Sequence, residues 1–253
     1  MPGESIKEGM TRPLPFLAAC AFAVLLTAAS ASAQIRIQPI SEATSNDAKI
    51  YSSVPTSNFA SNLNVTSLDT GAHFLALVQF DLSQLGALNA DAIVSATFTL
   101  YCTGLGVSGA GAVGGDVTVS PILNAWKENT DDIAPAGAPL ATYDAFFGTT
   151  PTISFGPSVA SQNVTGAGFY SWDITSTVKA WQSGSLPNNG LFIQLSSAGG
   201  DIGFADVDSN LTIAGSAPSL TVVPEPATAS LLLGAGLFLI SRRRRTAAGT
   251  FVS

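Results

Sequence analysis

The chain has 253 residues, carries a net charge of −7, and draws only 11% of its residues from Asp, Glu, Lys and Arg. Between its two ends, over residues 34–223, four basic residues face fourteen acidic ones, a net of −10 that repels nucleic acid and excludes DNA or RNA binding. One histidine, His73, and one cysteine in that stretch, Cys102, rule out histidine triads, histidine-based zinc sites and an intramolecular disulfide.

The N-terminus has the layout of a secretory signal. Arg12 supplies positive charge, an apolar stretch runs from Leu14 to Ala29, and Ala31-Ser32-Ala33 gives the small-x-small pattern of a signal peptidase site. Cleavage is expected between Ala33 and Gln34, with Met1 or Met10 as the start. Leu17-Ala18-Ala19-Cys20 also matches a lipoprotein box. Apolar and small residues continue past it to Ser30, however, and a lipobox cysteine normally closes such a run.

Residues 34–223 form a single expected domain. Short alternating or apolar runs recur between turn residues, which favours strands. They are predicted at Lys49–Ser52, Leu63–Ser67, Phe74–Phe80, Ile93–Tyr101, Asp116–Pro121, Thr152–Phe155, Phe169–Ile174, Leu191–Leu195, Ile202–Phe204 and Ser219–Val223. The number of strands predicts an all-β, jelly-roll-like antiparallel β-sandwich. A short helical turn is expected at Thr175–Gln182, with Val178 and Trp181 toward the core, and a mobile loop at Thr103–Gly115. In ATFTLYC the alternation puts Cys102 on the apolar face with Ala96, Phe98 and Leu100, a buried filler.

Candidate ligand chemistry is sparse. Asp131-Asp132 are neighbouring loop acids, a poor match for the two carboxylates a glycosidase sets across a sugar bond. Asp206, Asp208 and Asn210 have the D-x-D-x-N spacing of a calcium loop, but Leu211 and Ala217 stand where an EF-hand needs Gly and Glu. A simpler calcium clip, helped by Asp201, or an ordinary turn are the two readings left. Trp172 shares a face with Tyr170 and Ile174 and reads as core. Trp126, in a turn-like stretch, and Tyr143, Phe146 and Phe147, in an irregular segment, are the candidate glycan-stacking aromatics. Their alternative role is to cap the sandwich.

The C-terminus reads VPEPATASLLLGAGLFLISRRRR. Its apolar run, Ala227–Ile240, is 14 residues long. As a helix it would span about 21 Å, short of the ~30 Å hydrocarbon core. Such a segment holds a protein briefly, with Arg242, Arg243, Arg244 and Arg245 on the cytoplasmic side. Pro224-Glu225-Pro226, a short apolar helix and an arginine cluster at the chain's end resemble the PEP-CTERM sorting signal of certain Gram-negative bacteria. With residues 224–245 as the sorting signal and 246–253 as a tail, the resemblance implies transient membrane insertion, cleavage by an exosortase (a membrane cysteine peptidase) that leaves a mature protein ending near Val223–Pro226, and a place on the cell surface or in the extracellular matrix.

The body carries a second resemblance. DAKIYSSVPTSNFASNLNVTS (Asp47–Ser67), LVQFDLSQL (Leu77–Leu85), IVSATFTLYC (Ile93–Cys102), NAWKENT (Asn124–Thr130), WDITSTVKAWQSG (Trp172–Gly184), NNGLFIQL (Asn188–Leu195) and APSLTV (Ala217–Val222) follow the order of the DNRLRE domain, related to carbohydrate-binding jelly rolls. The chain departs from that pattern at Leu75–Gln79, where the family often carries arginine. This resemblance implies a non-enzymatic protein associating with exopolysaccharide or other envelope glycans. The alternatives are a polysaccharide-degrading enzyme and a structural matrix subunit without ligand.

Overall fold

The computed structural model describes residues 33–38, 45–59, 63–66, 73–106, 113–128, 137–197, 200–207 and 213–226. Gln34–Pro224 forms one compact unit, and the residues on either side of it are grouped as a second, of which Ala33, Glu225 and Pro226 are described. In chain order the strands begin with β1 (Ile35–Ile37), β2 (Ser45–Tyr51), β3 (Asn58–Phe59), β4 (Leu63–Thr66), β5 (Phe74–Phe80) and β6 (Ile93–Leu105). They continue with β7 (Gly115–Pro121), β8 (Ala160–Val164), β9 (Gly168–Asp173), β10 (Leu191–Leu195), β11 (Asp201–Phe204) and β12 (Ser219–Pro224). Two short helices, α1 (Tyr143–Phe147) and α2 (Thr175–Ser183), interrupt the series.

All strand pairs in the two six-stranded sheets are antiparallel. In the first sheet the long β6 is central: β9 lies along one edge, while β12 and then β11 lie along the other. β1 flanks β12 and β4 flanks β11. The second sheet runs β3-β2-β5-β10-β7-β8. Consecutive strands pass repeatedly from one sheet to the other, as from β5 to β6 to β7 and from β8 through β11.

The period of two explains the main core. Ala96, Phe98, Leu100 and Cys102 of β6, with Trp172, Ile202, Phe204, Leu220 and Val222, meet Ala76, Val78, Val117, Val119, Leu191 and Ile193 of the other sheet. Phe98 sits edge-on to Phe80 at 5.9 Å between ring centres and leans on Trp172 at 5.6 Å. As expected, Cys102 is a fully buried free thiol, and Val178 and Trp181 of α2 turn inward.

A second core lies on the outer face of the β2–β5–β10 sheet. Ala48, Ile50, Leu75, Leu77 and Phe192 point away from the intersheet core and are covered by Ile122, Trp126, Ala141, Phe146 and Ile153. Phe155 stacks on Phe192 at 4.3 Å with the rings 8° from parallel. The strand expected at Thr152–Phe155 is absent; Phe155 makes only an isolated bridge to Ile122, because this stretch covers a sheet face instead of extending a sheet. The segment expected to be irregular after Pro139 forms α1, whose first turn is capped by Thr142 accepting the Ala145 N–H at 3.1 Å. The Asp144 N–H donates to the Pro55 carbonyl at 2.9 Å and fixes α1 to the turn after β2.

The turn Asn188-Asn189-Gly190 ties the two cores together. The Asn188 side chain donates to the Phe80 carbonyl at 2.8 Å, and the Asn188 carbonyl accepts from Gln79 Nε2 at 2.8 Å. The Asn189 carbonyl accepts the Trp126 indole N–H at 2.7 Å, and the Gly190 carbonyl accepts the Ile122 N–H at 3.0 Å. Gly190 has φ of +85°, a left-handed conformation that favours glycine.

Three strands had no counterpart in the sequence reading: β1, β3 and the polar edge strand β8. The N-terminal segment before Ala33, the run Ala227–Ile240 and Arg242–Arg245 lie outside the described residues, as do residues 107–112 of the predicted mobile loop. Among the described residues no helix is long and apolar enough to cross a membrane.

Candidate functional site

The chain leaves its folded body through a strand held on both sides. Val222 pairs with Ile35 of β1 and Ala96 of β6, and its side chain is fully buried in the intersheet core. Val223 pairs with Ser95. A register shift follows, after which Pro224 pairs with Ile93. Proline suits the end of a strand because it has no N–H to give to the ladder. Glu225 is exposed. Because Ile35 and Val222 are opposite one another, the chain comes in at Gln34 and goes out at Pro224 on neighbouring strands. Ala33 and Gln34, which flank the expected signal-peptidase bond, are exposed.

The candidate aromatics separate into two groups. Trp126 is fully buried and Phe146 is 6% exposed, both within the second core, so neither presents a ring face to a sugar. This corrects the expectation that Trp126 is a glycan-stacking aromatic: the outer face of the second sheet is apolar, and the indole fills it while its N–H satisfies the Asn189 carbonyl. Phe147, 38% exposed, and the half-buried Tyr143 remain at the surface, their ring centres 4.9 Å apart. His73, just before β5, stacks on Tyr143 at 6.4 Å.

The acidic candidates are only partly described, since Asp208 and Asn210, like Asp131 and Asp132, lie outside the described residues. Asp206 is buried and faces Lys49, whose ammonium is held below its ordinary pKa by burial, an effect that the Asp206 charge opposes. Asp47 Oδ2 accepts the Val207 N–H at 3.1 Å beside them. Asp201 is fully buried in β11. Among the described residues no three His, Cys, Asp or Glu side chains are grouped to hold a metal ion.

Sequence reasoning missed a groove of about 790 Å³ where the two sheets part. It lies between the edge strands β8 and β9 and the start of α2, and is lined by Gln162, Ser171, Asp173, Thr175, Ser176 and Lys179 among others. The local sequence builds one wall. Asp173 Oδ1 accepts both the N–H and the hydroxyl of Thr175, and Thr175 Oγ1 in turn accepts the Ala96 N–H at 2.9 Å, which ties the helix start to β6. The Thr175 side chain, then its backbone N–H, draws the Asp173 carboxyl below its ordinary range. A carboxyl with a depressed folded pKa stabilises the fold above its unfolded pKa and loses that contribution as pH falls through the folded value. A carboxyl-carbon NMR titration should therefore place the Asp173 midpoint below the ordinary aspartate value of 3.8; a midpoint above it would show that this helix-start hydrogen bonding is not formed in solution.

Cys102 offers no reactive thiol. Burial pushes its pKa up, more than its contact with the Gly104 carbonyl pulls it down, so little thiolate forms near neutrality. Native protein should resist a thiol reagent and react only after denaturation; rapid labelling of the folded chain would contradict the burial of this face.

These features describe a β-rich body joined through its last strand to a Pro-Glu-Pro stretch whose glutamate is exposed. Compared with known families, residues 222–245 match the PEP-CTERM protein-sorting motif. The matched segment begins inside β12, so its first three residues belong to the folded body and the rest follow it. The motif marks an exported protein sorted by exosortase, with transient membrane anchoring. No curated protein matches the chain.

Proposed function

We propose that the chain is a non-enzymatic, jelly-roll-like β-sandwich protein that exosortase releases at the cell surface, and that its body then associates with exopolysaccharide or another envelope glycan there. The observation that carries the glycan reading is the groove between β8 and β9. It is open and polar, offers hydroxyl, amide, carboxylate and ammonium groups, and lies between two edge strands. A sugar presents many hydroxyls that need such partners. Among the described residues Asp173 is the one carboxylate on the groove wall, whereas glycoside hydrolysis needs two across the bond, which favours binding over turnover. The DNRLRE-like order of residues in the body supports the same reading. Calcium at Asp206, Asp208 and Asn210 remains part of the proposal, as a structural ion only.

Protein released from the host should be retained on its own immobilised exopolysaccharide. Each lost hydrogen bond removes about 1 kcal/mol, so the double variant Gln162→Ala, Lys179→Ala, which loses two, should bind about thirtyfold more weakly. Weakening by Tyr143→Ala, Phe147→Ala instead would place the contact on the aromatic edge. Wild-type protein that passes through unretained would be a structural subunit without ligand, and shortening of the polysaccharide would reveal an enzyme.

A further inference from the structure

We infer that strand β12 sets the bond at which the C-terminal segment is removed, and that this bond lies beyond Pro224. The inference rests on reading residues 222–245 as an exosortase substrate. A peptidase takes its substrate as an extended strand whose backbone groups are free to pair with the cleft. Through Pro224 the strand is already engaged: β12 is laddered to β6 over Ser219–Pro224, and to β1 as well over Leu220–Val222. Val222 is also anchored by a fully buried side chain. Drawing it into a cleft would remove an apolar side chain from the intersheet core and strip β1 of the strand it pairs with. The body therefore protects the Val222–Val223 and Val223–Pro224 bonds while it stays folded. Pro224–Glu225 is the first bond with an exposed residue on its far side, and Glu225 is the first residue of the matched segment that is free of the ladder.

Cleavage there has a structural consequence. It leaves β12 complete, so the released protein keeps the whole sheet that the tethered protein had. A cut a few residues earlier would shorten a strand between two neighbours and expose both their edges.

The test uses the full chain in an exosortase-bearing host, with the released protein analysed by intact mass and C-terminal peptide sequencing. The expected C-terminal residue is Pro224 or one further along. A C-terminus at Val223 or earlier would overturn this inference while leaving exosortase processing intact. A chain complete through Ser253 would overturn exosortase processing and this inference with it. A second chain carries a Gly-Ser spacer of about five residues between Val223 and Pro224, which keeps β12 through Val223 and moves the motif off the ladder. Bonds ahead of the proline then become accessible, so cleavage should appear in the spacer or release should quicken about threefold or more. An unchanged cut and an unchanged rate would mean that the strand does not restrict the peptidase, and would overturn the inference.

Discussion

Replacing Trp126 by alanine should lower the stability of the body by about 3–5 kcal/mol, among the largest losses expected for one substitution. The residue is 0% exposed, and it fills the space between Ile122, Ala141 and the outward side chains of β2, β5 and β10. Truncation leaves a cavity that the surrounding backbone cannot close, since the covering segment is fixed at Ile122, at Lys127 and at α1. It also leaves the Asn189 carbonyl without its indole donor. For a domain of this size the loss corresponds to a fall in melting temperature of about 10 °C. Trp126→Phe separates the two contributions: it keeps most of the apolar volume and loses the hydrogen bond, so about 1–2 kcal/mol should go. If Trp126→Ala melts like wild type in a thermal scan, the second core does not exist in solution and the tryptophan is a surface residue after all.

The other large effect is expected at Gly190. Its φ of +85° already costs an L-residue about 1–2 kcal/mol. A Cβ there would also lie 2.4 Å from the Val78 carbonyl oxygen and 2.9 Å from Gln79 Cα, both of them backbone atoms of the central strand β5. Neither atom can swing aside as a side-chain tip would, so Gly190→Ala must push β10 from β5 or break the turn. A loss of at least about 3 kcal/mol is expected from the combined conformational strain and steric overlap. Gly184→Ala is the matched control. It too has a left-handed φ, +74°, but a Cβ would meet nothing within 4 Å, so only the conformational cost of about 1–2 kcal/mol should appear. Urea unfolding of the two variants measures the difference. Equal losses would mean that the close approach to β5 is relaxed in solution.

These two positions also show what can be read from the residues alone. Phe74–Phe80 and Leu191–Leu195 are found at the predicted limits, and Ile93–Tyr101 at its predicted start, because apolar runs and period-two patterns act over the residues themselves. β8 was not legible: ASQNV is a polar edge strand with only Val164 fully buried, so it lacks an apolar period. β1 is three residues long and is a strand only because β12 lies beside it. The burial of Trp126 is not legible either, since the segment from Ile122 to Phe155 follows no regular period and the burial comes from the sheet that it covers. A signal for that cover was present in FLALVQF and LFIQL, whose unbroken apolar runs mean strands buried on both faces and hence a layer on the second face. The groove between β8 and β9 could not have been found this way, because Gln162 and Lys179 come to line one groove only through the crossing of the chain from one sheet to the other. The sorting motif needed no fold to be recognised. It is read along the chain, as a peptidase reads it.

The pairing of Ile35 with Val222 has a meaning beyond the ladder itself. A body whose two ends emerge side by side can be lifted out of one polypeptide and placed in another through a single point of attachment, as inserted domains are. The chain that precedes Gln34 and the chain that follows Pro224 are joined at that point, and either can be exchanged without disturbing a residue of the opposite pole. The same arrangement permits a circular permutant: a short bridge from Pro224 back to Gln34 would close the chain, and new ends could be opened at the exposed turn between β8 and β9. In this light the β-rich body is a cassette that the chain enters and leaves at one end of neighbouring strands.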